Sequence, residues 1–250
     1  MFFEKVGDLF IGRFAELFSE HICHGFSTRK GGVSKPPYNT LNLGFNTDDQ
    51  YYNVTENRKR FFKTVGISEK NVAIPEQVHG NRVRIITESG TYPESDGLIT
   101  NVPDVILTIQ TADCVPVFLY EPAKRVTGLV HAGWRGTYKN IIRETINTMI
   151  RNFRVKAENI HIFFGPSIGP CCYQVGDTVI HHFSLKYIHN NHLNLWLCLY
   201  DQLTEAGCLA ENIYMSRLCT VCYPEWFFSH RRNNGKTGRM LAFIKIKKNT

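Results

Sequence analysis

Three apolar runs, Val105–Ile109, Val115–Tyr120 and Arg125–Val130, follow one another with only Gln110–Cys114 and Glu121–Lys124 between them. A parallel connection needs a crossover of roughly a dozen residues or more. Connectors this short suggest antiparallel pairing of successive strands and argue against a doubly wound parallel sheet. Arg82–Thr87, Asn159–Phe164, Asn212–Met215 and Met240–Ile246 also read as strands. Helices are expected where Val54, Phe61, Phe62 and Val65 share a face ahead of Gly66, and along the stripe from Ile141 to Phe153. A third helix is expected from Leu195 to Ala206, stopped by Gly207. Strands and helices interleave without alternating strictly, so the expected class is α+β with a mixed sheet. No linker or repeat divides the chain, and one domain is expected over residues 1–250.

The 250 residues are 43% hydrophobic and 20% charged, which excludes disordered and fibrous classes. No run approaches the ~18 apolar residues of a membrane span. Glu4, Asp8 and Glu16 interrupt the first segment, which does not read as a signal peptide. A cytoplasmic location is therefore expected, and the eight cysteines read as thiols or metal ligands rather than disulfides. The net charge of +7 favours anionic ligands. Nucleic acid is a minor reading of it.

Polar residues with chemical potential cluster at strand ends. Pro75–Gly80 precedes one strand, Thr111–Cys114 separates two, and His131–Gly136 follows a third. Loops at strand ends are where a rigid scaffold presents reactive groups. His79, Cys114 and His131 would make a three-ligand zinc site with one open position. Alternatively, Cys114 is a nucleophile activated by His131, or all three are structural. Cys219 and Cys222 have the spacing of half a zinc site, but no second Cys-x-x-Cys exists. Cys171 and Cys172 are adjacent, and neighbouring side chains tend to point apart, so they read as structural. Cys23, Cys198 and Cys208 read as small buried hydrophobes. Ser27–Gly32 is a basic, glycine-rich turn suited to phosphate. A second basic cluster, Ser229–Arg232 with Gly235–Arg239, reads equally as a solvated turn or a phosphate site. Its Gly235-Lys236-Thr237 resembles the end of a P-loop, but His230 stands where that motif needs glycine.

Several segments together resemble the YfiH-like (YlmD-like) family, long labelled multicopper polyphenol oxidases or laccase-domain proteins. They are STRKGGVS (Ser27–Ser34), NLG (Asn42–Gly44), QVHG (Gln77–Gly80), SDGLIT (Ser95–Thr100) and TADC (Thr111–Cys114). HAGWRG (His131–Gly136), GPSIGPCCYQVG (Gly165–Gly176), LCT (Leu218–Thr220) and FFSHRRNNGKTGRM (Phe227–Met240) continue the pattern. The resemblance runs in order over residues 24–246. Ser95 and Gln174 depart from it, where alanine and an acidic residue are common; neither is a proposed ligand.

The resemblance implies a single compact domain with layered mixed β-sheets flanked by helices, similar to the catalytic domain of the cytotoxic necrotizing factor toxins. It implies zinc on His79, Cys114 and His131, with copper as an alternative metal. It further implies phosphorolysis of adenosine, inosine, guanosine and methylthioadenosine, and deamination of adenosine to inosine. The expected partners are a purine nucleoside and phosphate. Arg29, with Gly31, Gly32 and Asn42, is the candidate phosphate site, and Asp113 is a candidate for proton handling beside Cys114. Other expectations in the same family are Cys–His hydrolysis, as in the toxins, and editing of peptidoglycan precursors. A true laccase is less expected, because ten histidines include no His-x-His pair.

Overall fold

The structure, a computed structural model, describes residues 1–17 and 21–248. The chain begins with β1 (Phe2–Val6), β2 (Leu9–Arg13), β3 (Ile22–Ser27), helix α1 (Tyr51–Thr64) and β4 (Val72–Pro75). Six strands follow: β5 (Val83–Ile85), β6 (Gly90–Tyr92), β7 (Gly97–Thr100), β8 (Ile106–Thr111), β9 (Val115–Glu121) and β10 (Val126–Ala132). Helices α2 (Trp134–Tyr138) and α3 (Ile141–Phe153) lead to β11 (His161–Phe164) and α4 (Asp177–Ile180). The last elements are β12 (Ile188–His189), β13 (His192–Leu193), α5 (Leu195–Glu205), β14 (Ile213–Met215) and β15 (Met240–Ile246).

Two mixed sheets result, with strand orders β1-β2-β3-β15-β8-β4-β6 and β14-β11-β9-β10-β7-β5. Parallel pairs are β4 with β6 and β8, β5 with β7, and β11 with β14; the other pairs in these two sheets are antiparallel. Side-chain alternation explains how they stack. From β9, Phe118 and Tyr120 join Phe26, Leu107, Ile109 and Ala242 in a core between the sheets. Its other face sends Val115, Val117 and Leu119 against Ile142, Ile146 and Met149 of α3 and Leu199 of α5. On the outer face of the larger sheet, Ile11, Leu241 and Phe243 pack on Phe61 and Phe62 of α1. The molecule is thus a helix–sheet–sheet–helix stack, a single compact α+β domain as the sequence suggested.

One expectation fails in an instructive way. Strands β9 and β10 form the expected antiparallel pair, but β8 does not pair with β9. It lies between β15 and β4 in the other sheet. Apolar runs buried on both faces look alike whether a hairpin or a sheet-to-sheet crossover joins them. Ala112–Cys114 is that crossover, and Asp113 turns it with a left-handed φ of 96°. The TADC segment is therefore wedged between the ends of both sheets. Among the smaller expectations, Cys198 and Cys208 are buried, whereas Cys23 is only half-buried. Among the described residues, no helix is long and apolar enough to cross a membrane.

Candidate metal centre and cavity

Three segments meet where β8 leaves its sheet. After β4, Gln77 extends the β4–β8 pairing with its side chain, its Nε2 donating to the Gln110 carbonyl at 2.8 Å and its Oε1 accepting from the Gln110 amide at 2.8 Å. This fixes the start of the loop that carries His79. The loop is closed by Asp96, at the foot of β7. Its Oδ1 accepts the His79 amide at 3.0 Å, and Oδ2 accepts the amides of Val78 at 3.2 Å and Gly80 at 2.7 Å. Consecutive amides converging on one carboxylate form an anion nest, and His79 takes a left-handed φ of 57° within it.

Asp96 also reaches the end of β10. The β7–β10 register pairs Gly97 with Val130, which brings Asp96 beside His131. His131 donates Nδ1–H to Asp96 Oδ1 at 2.8 Å, and its amide donates to the Asp96 carbonyl at 2.7 Å. That contact fixes the tautomer and directs Nε2 toward Cys114. Carboxylate support of this kind is typical of metal-ligating histidines. Asp96 was not singled out in the sequence. The cue was an acidic residue entering an otherwise apolar strand, but its partner lies 35 residues away.

The ligand atoms of His79, Cys114 and His131 all lie within 4.8 Å of one another. The two imidazole rings cross at 79° with centroids 4.8 Å apart. His131 is 3% exposed, Cys114 is half-buried and His79 faces outward. Glycine is required between them. A Cβ on Gly133 would stand 2.9 Å from Cys114 Sγ and 3.3 Å from His79 Cδ2. A Cβ on Gly136 would stand 2.7 Å from the Gly80 carbonyl. The HAGWRG glycines thus let α2 close onto the His79 loop.

Charge is shared across the triangle. Burial pushes the Cys114 thiol up, yet the adjacent His131 and His79 outweigh it and hold the thiol below its ordinary value. Burial pushes His131 down, but the Cys114 thiolate and Asp96 raise it well above the usual imidazole range. Burial also works against the Asp96 carboxylate, and His131 with the Gly80 and Val78 amides keeps it ionised below its usual value. Two imidazoles and a readily ionised thiol suit zinc, and they suit copper as well. The donor set and its spacing fit such an ion.

The triangle forms part of the wall of a cavity of about 760 Å³. Trp134, Tyr173 and Phe45 line it together with Arg135, Arg231 and Arg239. Asp113 lines it too, but both its carboxylate oxygens are engaged. Oδ1 accepts from Thr220 Oγ1 at 2.6 Å and Oδ2 from the Arg231 amide at 2.7 Å. Its position fits a clamp better than a free base.

The expected phosphate residues lie elsewhere. Arg29 does not line the cavity. It donates Nε to the Asn39 carbonyl at 2.8 Å and Nη1 to the Pro224 carbonyl at 2.9 Å, with its guanidinium over Phe228. The Gly32 amide is bonded to Thr40 Oγ1. Gly31, with φ 90°, packs so closely that a Cβ would meet the Asp8 carbonyl at 2.5 Å. Asn42 is fully buried and bonds Thr47, Asp49 and the amides of Gly44 and Arg239. The turn is tied to neighbouring segments, the Arg29 amide donating to the Trp226 carbonyl at 2.9 Å and the Arg29 carbonyl accepting the amides of Thr40 and Leu41. Asn42 instead braces the segment that delivers Arg239.

The family model described as multi-copper polyphenol oxidoreductase laccase matches residues 23–247. The relative called purine nucleoside phosphorylase YlmD from Bacillus subtilis is 33% identical over 250 residues, 92% of this chain and 90% of its own. A protein of the same name from Geobacillus stearothermophilus is 35% identical over 242 residues, 88% of each chain. The crystal structure of YlmD from Geobacillus stearothermophilus superposes with a TM-score of 0.92 at 32% identity, covering 98% of both chains. The ordered motifs, the layered fold and these likenesses agree: the chain belongs to the multi-copper polyphenol oxidoreductase laccase family of YfiH- and YlmD-like proteins.

Proposed function

We propose that this protein is a zinc-dependent purine nucleoside phosphorylase of the cytoplasm. Its substrates would be adenosine, inosine, guanosine and methylthioadenosine, cleaved by phosphate to the base and (methylthio)ribose 1-phosphate. Adenosine deamination to inosine would use the same cavity. The observation that carries the proposal is the convergence of a His–Cys–His triangle and three arginines on one cavity. The names of the relatives point the same way.

His79, Cys114 and His131 would hold the metal, with Asp96 orienting His131. When bound, zinc supplies Lewis-acid polarisation at its open position. The remaining work belongs to the chain. Arg135, Arg231 and Arg239 bind the phosphate dianion, which planar guanidinium forks match well. Two of them are braced: Arg231 donates Nη1 to the Gln174 carbonyl at 2.6 Å, and Arg239 donates Nη1 to the Thr237 carbonyl at 2.8 Å. Asp113 holds the Arg231 loop through its amide. Trp134 and Tyr173 offer flat walls to the purine and ribose. Burial, with Cys114 and Asp113 nearby, pushes the Tyr173 phenol far up, so Oη stays protonated and donates a hydrogen bond to the departing base.

Oxidation of phenols by a multicopper centre is disfavoured. Such a centre needs many histidines, and His79, His131 and His230 are those among the described residues that line the cavity. One specific observation favours a second reading. Cys114, His131 and Asp96 form a thiol–imidazole–carboxylate chain, the pattern of a nucleophilic hydrolase. Incubation with adenosine, with and without phosphate, tests the first reading. Adenine formed only with phosphate is the expected result for phosphorolysis, and inosine is the expected product of deamination. No change in adenosine under either condition would sink it, leaving Cys–His hydrolysis and peptidoglycan-precursor editing.

A further inference from the structure

Four more thiols meet at one point outside the cavity wall. Cys171 and Cys172 lie in the loop after β11, and Cys219 and Cys222 lie in the loop after β14. Their Sγ atoms are all within 4.8 Å of one another. Cys222 Sγ stands 3.5 Å from Cys172 Sγ and 3.7 Å from Cys171 Sγ. A tetrahedral zinc with Zn–S bonds of about 2.3 Å has S···S edges of about 3.8 Å. A disulfide brings its sulfurs to about 2.05 Å. The observed separations match the edges of a tetrahedron.

Adjacency does not separate Cys171 from Cys172, contrary to the expectation from the sequence. The amides of Cys172 and Tyr173 both donate to the Gly169 carbonyl at 3.0 Å, which makes the segment a helical turn. Successive side chains in such a turn diverge by about 100° rather than pointing to opposite faces as in a strand. Both thiols therefore reach Cys222. The facing loop is held ready by backbone bonds: the Ser167 amide donates to the Leu218 carbonyl at 3.1 Å and the Thr220 amide to the Ser167 carbonyl at 3.0 Å. The Gly169 amide points at Cys219 Sγ from 3.3 Å, the kind of outer contact that supports a thiolate ligand. Arg232 donates to the carbonyls of Thr220 and Val221 and brings positive charge beside the cluster.

We infer a second metal site, a closed four-thiolate centre for zinc on Cys171, Cys172, Cys219 and Cys222. With no open position, its role is structural. It clamps two loops that form one side of the cavity. Ile168 on the first donates its amide to the Asp113 carbonyl at 2.8 Å, and Tyr173 lines the cavity. Thr220 on the second holds the Asp113 carboxylate. Metal binding converts the thiols to thiolates and releases their protons to solvent.

Metal content of full-length protein, purified under reducing conditions and equilibrated with zinc, tests the site by native mass spectrometry and elemental analysis. Wild type is expected to hold two zinc ions, and Cys114→Ala and Cys222→Ser one each. Cys222 is exposed, so serine there removes no core packing; Cys171→Ser, also at an exposed thiol, is the parallel variant. Should both serine variants misfold, Cys114→Ala loaded with cobalt decides alone. A tetrahedral four-thiolate absorption spectrum is expected. A wild type that holds a single zinc ion, kept in Cys114→Ala and lost in Cys222→Ser, supports this site and sinks the cavity site. A wild type that holds a single zinc ion, lost in Cys114→Ala and kept in Cys222→Ser, or a disulfide joining Cys222 to Cys171 or Cys172 in the zinc-treated protein, overturns it.

Discussion

Replacing Cys114 by alanine is expected to empty the cavity of metal and bring nucleoside phosphorolysis to background. Two histidines alone make a poor zinc site, and Cys114 is the ligand that brings negative charge. Loss of an outer-sphere partner alone typically costs about 10–100-fold in affinity or activity, and loss of a ligand should exceed that. The fold should survive. Cys114 is half-buried at the sheet crossover, and alanine keeps its Cβ while relieving rather than crowding Gly133. Rates of base release from inosine with phosphate, measured beside metal content and a circular dichroism spectrum, check the expectation. Full activity without cavity metal would contradict it.

Asp96→Ala is expected to act on the same centre from one step away. It would leave His131 Nδ1 and three consecutive amides without their buried acceptor. Breaking a buried charged network typically costs about 3–5 kcal/mol, so a large fall in melting temperature is expected. Zinc affinity should fall by about 10–100-fold, read by competition with a chelator on protein that is still folded. Asp96→Asn is the milder companion. Its amide retains one oxygen acceptor but turns a donor toward other donors. An unchanged zinc affinity in folded Asp96→Asn would show that the carboxylate does not orient His131.

These two residues show where sequence reasoning reaches and where it stops. Cys114 was legible because TADC interrupts two apolar runs and HAGWRG follows the next. Strands β9, β10 and β15 and helices α1, α3 and α5 were legible through burial patterns that are local in sequence. Asp96 was not, because its role arises from the Gly97–Val130 register between distant strands. The β8–β9 crossover was hidden for a related reason: burial on both faces erases the alternation that distinguishes one sheet from two. Arg29 lies outside the cavity, and a glycine-rich basic turn looks the same in sequence whether an amide faces a ligand or, as that of Gly32 does, Thr40. Cavity arginines such as Arg231 and Arg239 come from a segment whose path depends on Asp113 and Asn42. The basic cluster itself is visible in the sequence, but its path into the cavity is not.

The test that bears hardest on the metal centre is removal and return of the ion. Protein stripped of metal under reducing conditions would be assayed with inosine and phosphate, then reloaded with zinc and assayed again. Hypoxanthine and ribose 1-phosphate should be absent from the stripped wild type and reappear on reloading, while Cys114→Ala stays silent throughout. Undiminished turnover by the stripped wild type would contradict a metal-dependent reaction and leave Cys114 and His131 acting as a nucleophile and its base.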